Sequence, residues 1–358
     1  MKSRISVSSQ ALLLGAALLI STALPPIETV HARAEDYIPD DIAKKPDKKP
    51  DKKKKKETKK DGWFPTLQVA FGFAFSQSQG VVGVPDGVSI ALGLQLLGGL
   101  TFRYQTHEWI TSLRVIHTQS KVPNIEPFVK SADELVLSTL YQYRFPRVRW
   151  LGVFGGVRLI TPLLPGSLIP LEDTNIDKTP DDVTDPYDIA AAQKAYRLTK
   201  PFSPLFLKQF AGALTQPATK KWLNVDIRLG IGGVQAFTRD GYVVADDEAT
   251  AGVLELKALQ DYQQAGVELQ LSVTGVAVKK LLTYSFQAEL MYPFVTSPHT
   301  DLSGAELINA EFRLNLGIKL WKWASLNYSL AVLRIPMIQE EWQVTNSLML
   351  TITATVAK

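Results

Sequence analysis

The chain has 358 residues, 46% hydrophobic and 21% charged, with no cysteine. This composition suits a folded chain of one or two domains and excludes disulfides and thiolate metal sites. The formal charge of +4 is local: residues 44–60 hold eleven lysines against Asp47, Asp51 and Glu57, whereas residues 61–358 sum to −2, so the basic balance gives no reason to expect a nucleic-acid partner.

The N-terminus carries Lys2 and Arg4, an apolar stretch from Ala11 to Leu24 closed by Pro25-Pro26, and then Ala32-Arg33-Ala34. A basic start, a short apolar run and small residues where a signal peptidase reads mark 1–34 as a secretory signal peptide, with cleavage expected before Glu35. The competing reading is an uncleaved anchor, but the apolar run falls short of the ~20 residues a spanning helix needs. Residues 35–61 follow as a Lys/Pro-rich linker. From Lys44 to Lys60 the like charge is dense and no large apolar side chain is available to bury, which predicts disorder. This segment reads either as a solvated spacer or as a periplasmic tether to anionic lipid or cell wall.

From Trp63 onward the hydrophobic period is two. Leu67, Val69, Phe71, Phe73 and Phe75 alternate with Gln68, Ala70, Gly72, Ala74 and Ser76; near the end, Phe312, Leu314, Leu316, Ile318 and Leu320 alternate with Glu311, Arg313, Asn315, Gly317 and Lys319. Such runs mark strands with one apolar face. Their length separates the possible architectures. Strands of soluble proteins average about five or six residues, whereas a tilted strand crossing a bilayer needs about 9–11. The pattern predicts twelve strands at 65–76, 87–104, 108–118, 132–145, 149–161, 221–236, 242–257, 263–278, 281–293, 306–321, 324–335 and 342–356. The weakest is 242–257, which holds Asp246, Asp247 and Glu248. Ten strands are the alternative, because bacterial single-chain barrels use even numbers.

The expected fold is therefore all-β, an antiparallel transmembrane β-barrel over 62–358. Connections alternate between short turns, near 104–107, 146–148, 239–240, 279–280 and 322, and longer loops, of which 162–220 is the longest. Outer-membrane barrels have short periplasmic turns and long external loops, and an N-terminus in the periplasm puts every short turn on that side. The seven tryptophans, Trp63, Trp109, Trp150, Trp222, Trp321, Trp323 and Trp342, all fall at or beside expected strand ends, as an interfacial aromatic girdle requires. The implied location is the outer membrane of a Gram-negative bacterium, with membrane lipid and the barrel assembly machinery as partners.

The C-terminal hairpin, Trp321-Lys322-Trp323-Ala324-Ser325-Leu326-Asn327-Tyr328-Ser329-Leu330 followed by Trp342-Gln343-Val344-Thr345-Asn346-Ser347-Leu348, resembles uncharacterised outer-membrane barrel families of the domain-of-unknown-function kind. The resemblance covers most of 63–356 as a pattern, implies the barrel fold, and brings no catalytic residues or cofactor. The chain departs from that pattern in ending Val356-Ala357-Lys358, where an aromatic residue is the common assembly signal.

The charges on the polar faces are the candidate functional residues. Arg103, Arg114, Arg144 and Arg158 come from strands two to five; Asp226, Glu268, Glu289 and Glu311 come mainly from later strands, with Arg228, Arg313 and Lys319. On different sectors of a closed wall they would either set a transverse field across a wet constriction or pair and pack the interior shut. In the loop 162–220, Asp181, Asp182 and Asp185 lie in an acidic group that reads as a solvated surface or as a calcium site without EF-hand spacing. Asp185-Pro186 suits the start of a short helix over 189–198, and the apolar piece 202–214 would fold over the mouth or into the lumen. His117 lies on the lipid-facing side near the external end of strand three, with Ser120 three residues on; it reads as an interfacial histidine or, distantly, as the base of a membrane hydrolase whose third partner is not visible. No phosphate loop, dinucleotide fingerprint or zinc spacing is present. The functional expectation is a narrow channel or transporter for small solutes and not an enzyme. The alternative is a closed structural or adhesive barrel tethered by its lysine segment.

Overall fold

The computed structural model describes residues 61–78, 87–178, 187–220, 222–245, 252–278, 281–298, 300, 302–321 and 323–357. The expected signal peptide, nearly all of the linker, and Asp181, Asp182 and Asp185 lie outside the described residues.

Twelve long strands form a closed antiparallel barrel: β1 (Gly62–Ser78), β2 (Gly87–Tyr104), β3 (His107–Lys121), β4 (Val129–Arg144), β5 (Leu151–Thr161), β10 (Leu205–Lys220), β11 (Leu223–Phe237), β14 (Tyr262–Ala277), β15 (Leu282–Ser297), β16 (Asn309–Lys319), β17 (Ala324–Ile335) and β18 (Gln339–Ala357). Each pairs with the next, and β1 closes on β18 from Thr66↔Ala357 to Phe73↔Leu350, so no barrel edge is left unpaired. The six remaining strands are short and belong to loops: β6 (Ser167–Leu168), β7 (Thr174–Asp177), β8 (Asp188–Ala190), β9 (Tyr196–Arg197), β12 (Tyr242–Val244) and β13 (Val253–Ala258).

The count of twelve holds, but two assignments compensate. The expected seventh strand, 242–257, is not in the wall; its apolar pieces are β12 and β13 of a loop sheet. The wall strand in its place is β10, inside the segment expected as loop. The error has a physical origin. On β10 the lumenal positions Phe210 and Leu214 are apolar and buried, whereas outward Gln209 is polar, so the alternation is scrambled. Pro217, which has no N–H to give a ladder, sits in the irregularity between Thr215 and Ala218. Consequently β11 runs opposite to its expected direction, and Arg239–Asp240 belongs to a long external loop instead of a periplasmic turn. The expected helix over 189–198 is also absent; β8 and β9 occupy its ends.

With β10 in place the connections sort cleanly. Those at 105–106, 145–150, 221–222, 278–281 and 320–323 share the end where β1 begins, while 162–204 and 238–261 lie at the other. The short-turn end also carries six tryptophans, Trp63, Trp109, Trp150, Trp222, Trp321 and Trp323, and Trp342 lies at the opposite end; all seven are exposed. Outward side chains such as Phe71, Phe73, Leu92, Leu94, Ile231 and Phe294 are exposed, while inward Gln95, Arg114, Gln142, Arg228 and Glu268 are buried. An apolar exterior around a polar interior is the inverse of a soluble protein and matches a barrel whose outer wall meets lipid. The protein is an outer-membrane β-barrel.

On the external side the two long loops build a second small sheet, ordered β12-β13-β7-β8, with β13 parallel to β7. It packs around buried Ile176, Ala190, Leu254 and Leu256. Lys178 joins Asp188, and Tyr196 Oη donates to the same carboxylate at 2.9 Å. These hydrogen bonds hold Asp188 below the ordinary carboxylate range, Lys178 contributing most, and the carboxylate in turn holds Lys178 above the ordinary ammonium range. The pair's contribution is thus fully present between the ordinary values of ~3.9 and ~10.4. It is lost as pH falls through the depressed Asp188 value or rises through the raised Lys178 value. Because both side chains are solvent-exposed, Asp188→Asn is expected to loosen the loop sheet by no more than about 1 kcal/mol. Limited proteolysis should show faster cleavage within 162–204 in the variant at pH 6, and in the wild type once pH falls well below the ordinary carboxylate range; equal cleavage rates would show that the pair does not hold the loop sheet.

Candidate functional site in the lumen

The pleat sends alternate residues inward, so even-numbered positions of β3, β5, β10 and β11 and odd-numbered positions of β2, β15 and β16 meet in the lumen. All eleven sequence-selected charges, from Arg103 to Lys319, are buried or half-buried there. They do not act as one set. Arg103 Nε donates to Glu108 Oε1 at 2.8 Å, and Arg144 Nη2 lies 3.5 Å from Glu108 Oε2. Arg114 Nη2 donates to Glu134 Oε2 at 2.8 Å, and Arg228 Nε lies 2.8 Å from Asp226 Oδ1. Glu268 accepts from Gln270, two residues along β14. These are local pairs along or between neighbouring strands. Glu108 and Glu134 were not selected from the sequence, although their positions share the inward parity of Arg114 and Val136.

The second arrangement spans the barrel. Arg158 on β5 stands directly beside Lys208 on β10, and Glu289 on β15 stands directly beside Glu311 on β16. Like charges placed directly opposite on neighbouring strands repel. Here each like pair faces its counter-charges across the lumen. Arg158 Nη1 donates to Glu289 Oε2 at 3.1 Å, Lys208 Nζ donates to Glu289 Oε1 at 2.8 Å, and Lys208 Nζ lies 3.7 Å from Glu311 Oε2. Arg313 adds an ion pair to Glu311. Between β5 and β15 the wall passes through β10, β11 and β14, so these contacts are chords across the barrel. Lys208 is a functional candidate that the sequence pattern does not reveal, because the alternation on its strand is scrambled.

The charged layer is partly exposed to the lumen. Arg158, Lys208, Glu289 and Glu311 keep 20, 22, 18 and 16% of their side-chain surface exposed. Beside them lies a cavity of about 60 Å³ lined by Arg114, Asp226, Arg228, Glu289, Glu311 and others, room for a few waters. Apolar clusters flank this layer. On the wall of β4, β5 and β10, Leu140, Phe154, Phe210 and Leu214 pack together, with Arg158 over the Phe210 ring and Arg228 over the Phe154 ring. Toward the external mouth, Val234, Ala236, Tyr262 and Met291 are covered by Phe206 and by Ile335, Met337 and Ile338 from the hairpin joining β17 to β18. Among the described residues no group of three His, Asp or Glu is placed to hold a metal.

No protein-family model matches the chain, and no curated protein sequence matches it. Solved structures similar to it are outer-membrane barrels. The β domain of a Bordetella autotransporter is 10% identical, with 82% of this chain and 98% of that one covered and a TM-score of 0.33. An outer membrane channel from Pseudomonas putida F1 is 9% identical, covering 82% of this chain and 96% of that one, TM-score 0.34. The Pseudomonas putida toluene transporter TodX is 10% identical, covering 84% and 90%, TM-score 0.30. Likenesses of this size carry no information on role.

Proposed function

We propose that the protein is a narrow outer-membrane channel for small solutes, closed at rest by its own charged constriction. The supporting observation is the pair of opposed rows, Arg158 and Lys208 against Glu289 and Glu311, joined across the lumen while remaining water-exposed. A layer built only for packing has a cheaper solution, since well-packed apolar side chains of similar volume are at least as stabilising as buried ion pairs. Opposed charges across a wet constriction select and gate solutes by their field. Opening requires that these long side chains exchange partners and that the apolar cover of Ile335, Met337 and Ile338 at the external mouth move aside.

A closed structural or adhesive barrel is the second reading, favoured by the apolar cover of Ile335, Met337 and Ile338 at the mouth and by the external sheet of the two long loops. Planar-bilayer recording of the refolded protein separates the two. The channel reading expects discrete steps, with a higher open probability in the Met337→Ser, Ile338→Ser double variant. A folded barrel that stays silent in both forms is a closed one.

A further inference from the structure

On the lipid-facing side of the wall, a polar cluster stands where only apolar side chains are expected. Two rows of residues run around the barrel in register near its external end. The first is Ile352, Phe71, Leu94, His117 and Asp133; the second is Leu350, Phe73, Leu92, Gln119 and Lys130. The apolar members of both rows, together with His117 and Gln119, line an open outer groove of about 540 Å³. Its floor and flanks are hydrocarbon, and in the membrane its occupant is a lipid chain, because lipid is what this face meets.

The polar end of the groove has internal order. The Asp133 side chain is 1% exposed although it points outward from the wall. Its Oδ2 accepts the backbone N–H of Leu164 at 2.6 Å and lies 3.3 Å from Lys130 Nζ, which also donates to the Leu164 carbonyl at 2.8 Å. Its other oxygen, Oδ1, has no hydrogen-bond partner and lies 3.8 Å from His117 Nδ1, itself unpartnered and buried. A buried carboxylate aimed at one imidazole nitrogen orients the ring. With Nδ1 on the Asp133 side, Nε2 is the nitrogen left to the groove.

We propose that His117 and Asp133 form a catalytic dyad that hydrolyses the acyl ester of a membrane lipid whose chain lies in this groove. Among the described residues no serine, threonine or cysteine lines the groove, and water is taken as the nucleophile. Neutral His117 takes a proton from that water as its oxygen bonds to the ester carbonyl carbon. The tetrahedral intermediate then collapses, the carbon–oxygen bond to the alcohol breaks, and imidazolium returns the proton to the leaving alkoxide. One ester and one water give one acid and one alcohol. Asp133 is a positioning residue, and the Gln119 side-chain amide, two residues along β3, is the oxyanion donor. Loose geometry in the unliganded state suits such a site, because catalytic hydrogen bonds tighten on binding. The titratable groups on the flanking strands are Asp133 and Lys130 on β4, while β2 presents Leu92 and Leu94. The site is on the opposite side of the wall from the lumen and does not depend on the channel reading.

The test is fatty-acid release by the full chain refolded in detergent, assayed separately against diacyl phospholipid micelles and against purified lipopolysaccharide. Release from either supports the dyad and identifies which ester it takes. His117→Gln is expected to reduce the rate ~10²–10⁴-fold with the barrel intact by heat-dependent gel mobility. Asp133→Asn is expected to lower kcat with KM little changed, and Asp133→Glu, which keeps the carboxylate, to restore part of the rate, a pattern that mere loss of the Leu164 contact would not produce. If Asp133→Asn does not fold, Leu94→Trp serves instead: it fills the groove and is expected to slow long-chain release more than p-nitrophenyl acetate turnover, whereas equal slowing of both counts against a lipid chain in this groove. No release from either lipid by the folded wild type, or release that persists in His117→Gln, overturns the proposal and leaves the cluster as an anchor for the 162–204 loop.

Discussion

Glu289→Ala is expected to destabilise the barrel by about 2–3 kcal/mol, below the ~3–5 kcal/mol typical of a fully buried pair because the layer is partly wet. Glu289 accepts from both Arg158 and Lys208. Its removal leaves two adjacent cations on β5 and β10 with Glu311 as the nearby anion, so the repulsion built into that wall is no longer balanced. Removing Lys208 as well relieves the repulsion. Lys208→Ala, Glu289→Ala should therefore be more stable than the sum of the single variants predicts, with a coupling of about 1 kcal/mol or more. Urea-unfolding midpoints followed by tryptophan emission in detergent measure both quantities. A Glu289→Ala cost within about 0.5 kcal/mol of zero would place the residue among ordinary surface positions and remove the cross-lumen layer from the account.

Gly230→Val is expected to block barrel formation outright. Gly230 on β11 faces Gly212 on β10. A Cβ at 230 would lie 2.0 Å from the Ala211 carbonyl oxygen and 2.7 Å from the Gly212 Cα. These are backbone atoms of the neighbouring wall strand, so no rotamer change relieves the clash, and the strand pairing must shift. The cost should exceed the ~1–3 kcal/mol usual for overpacking. Gly98→Val is the matched control: a Cβ there meets only ordinary contacts near 3.8 Å from Leu113 Cβ. Heat-dependent gel mobility after refolding should be lost in Gly230→Val and kept in Gly98→Val. A folded Gly230→Val would show that the β10–β11 spacing is looser than described.

The pattern of two was enough to find eleven of the twelve wall strands, because their outer faces meet lipid and their inner faces meet water or ion pairs. It failed at β10 for the same reason that β10 is informative. Phe210 and Leu214 face inward to build an apolar cluster beside the charged layer, so that strand looks non-alternating. Its proline falls at a bulge, where no ladder N–H is required. Conversely, Tyr242–Val244 and Val253–Ala258 are genuine strands by composition, but they are three and six residues long and pair in a loop sheet. Their shortness and the acidic Asp246-Asp247-Glu248 between them are the local signals that set them apart from a wall strand.

Inward parity placed Arg158, Glu289 and Glu311 in the lumen from sequence alone. Which charge meets which was not legible, since the chords between β5 or β10 and β15 or β16 depend on barrel circumference and stagger. The partner of His117 was hidden in a similar way. Asp133 is sixteen residues away in sequence and becomes its neighbour only through the β3–β4 register, which contains an irregularity at Thr118 and Gln119. Ser120, the sequence candidate, is buried on the lumenal side and hydrogen-bonds Ser131 at 2.8 Å.

The most direct test of the charged constriction is the reversal potential of single channels in planar bilayers under a salt gradient. Discrete conductance steps are expected, with a shift toward anion selectivity in Glu289→Gln, Glu311→Gln, where the cationic wall of Arg158 and Lys208 is left dominant. A folded double variant with the same reversal potential as the wild type, or the absence of steps in either protein, would contradict it.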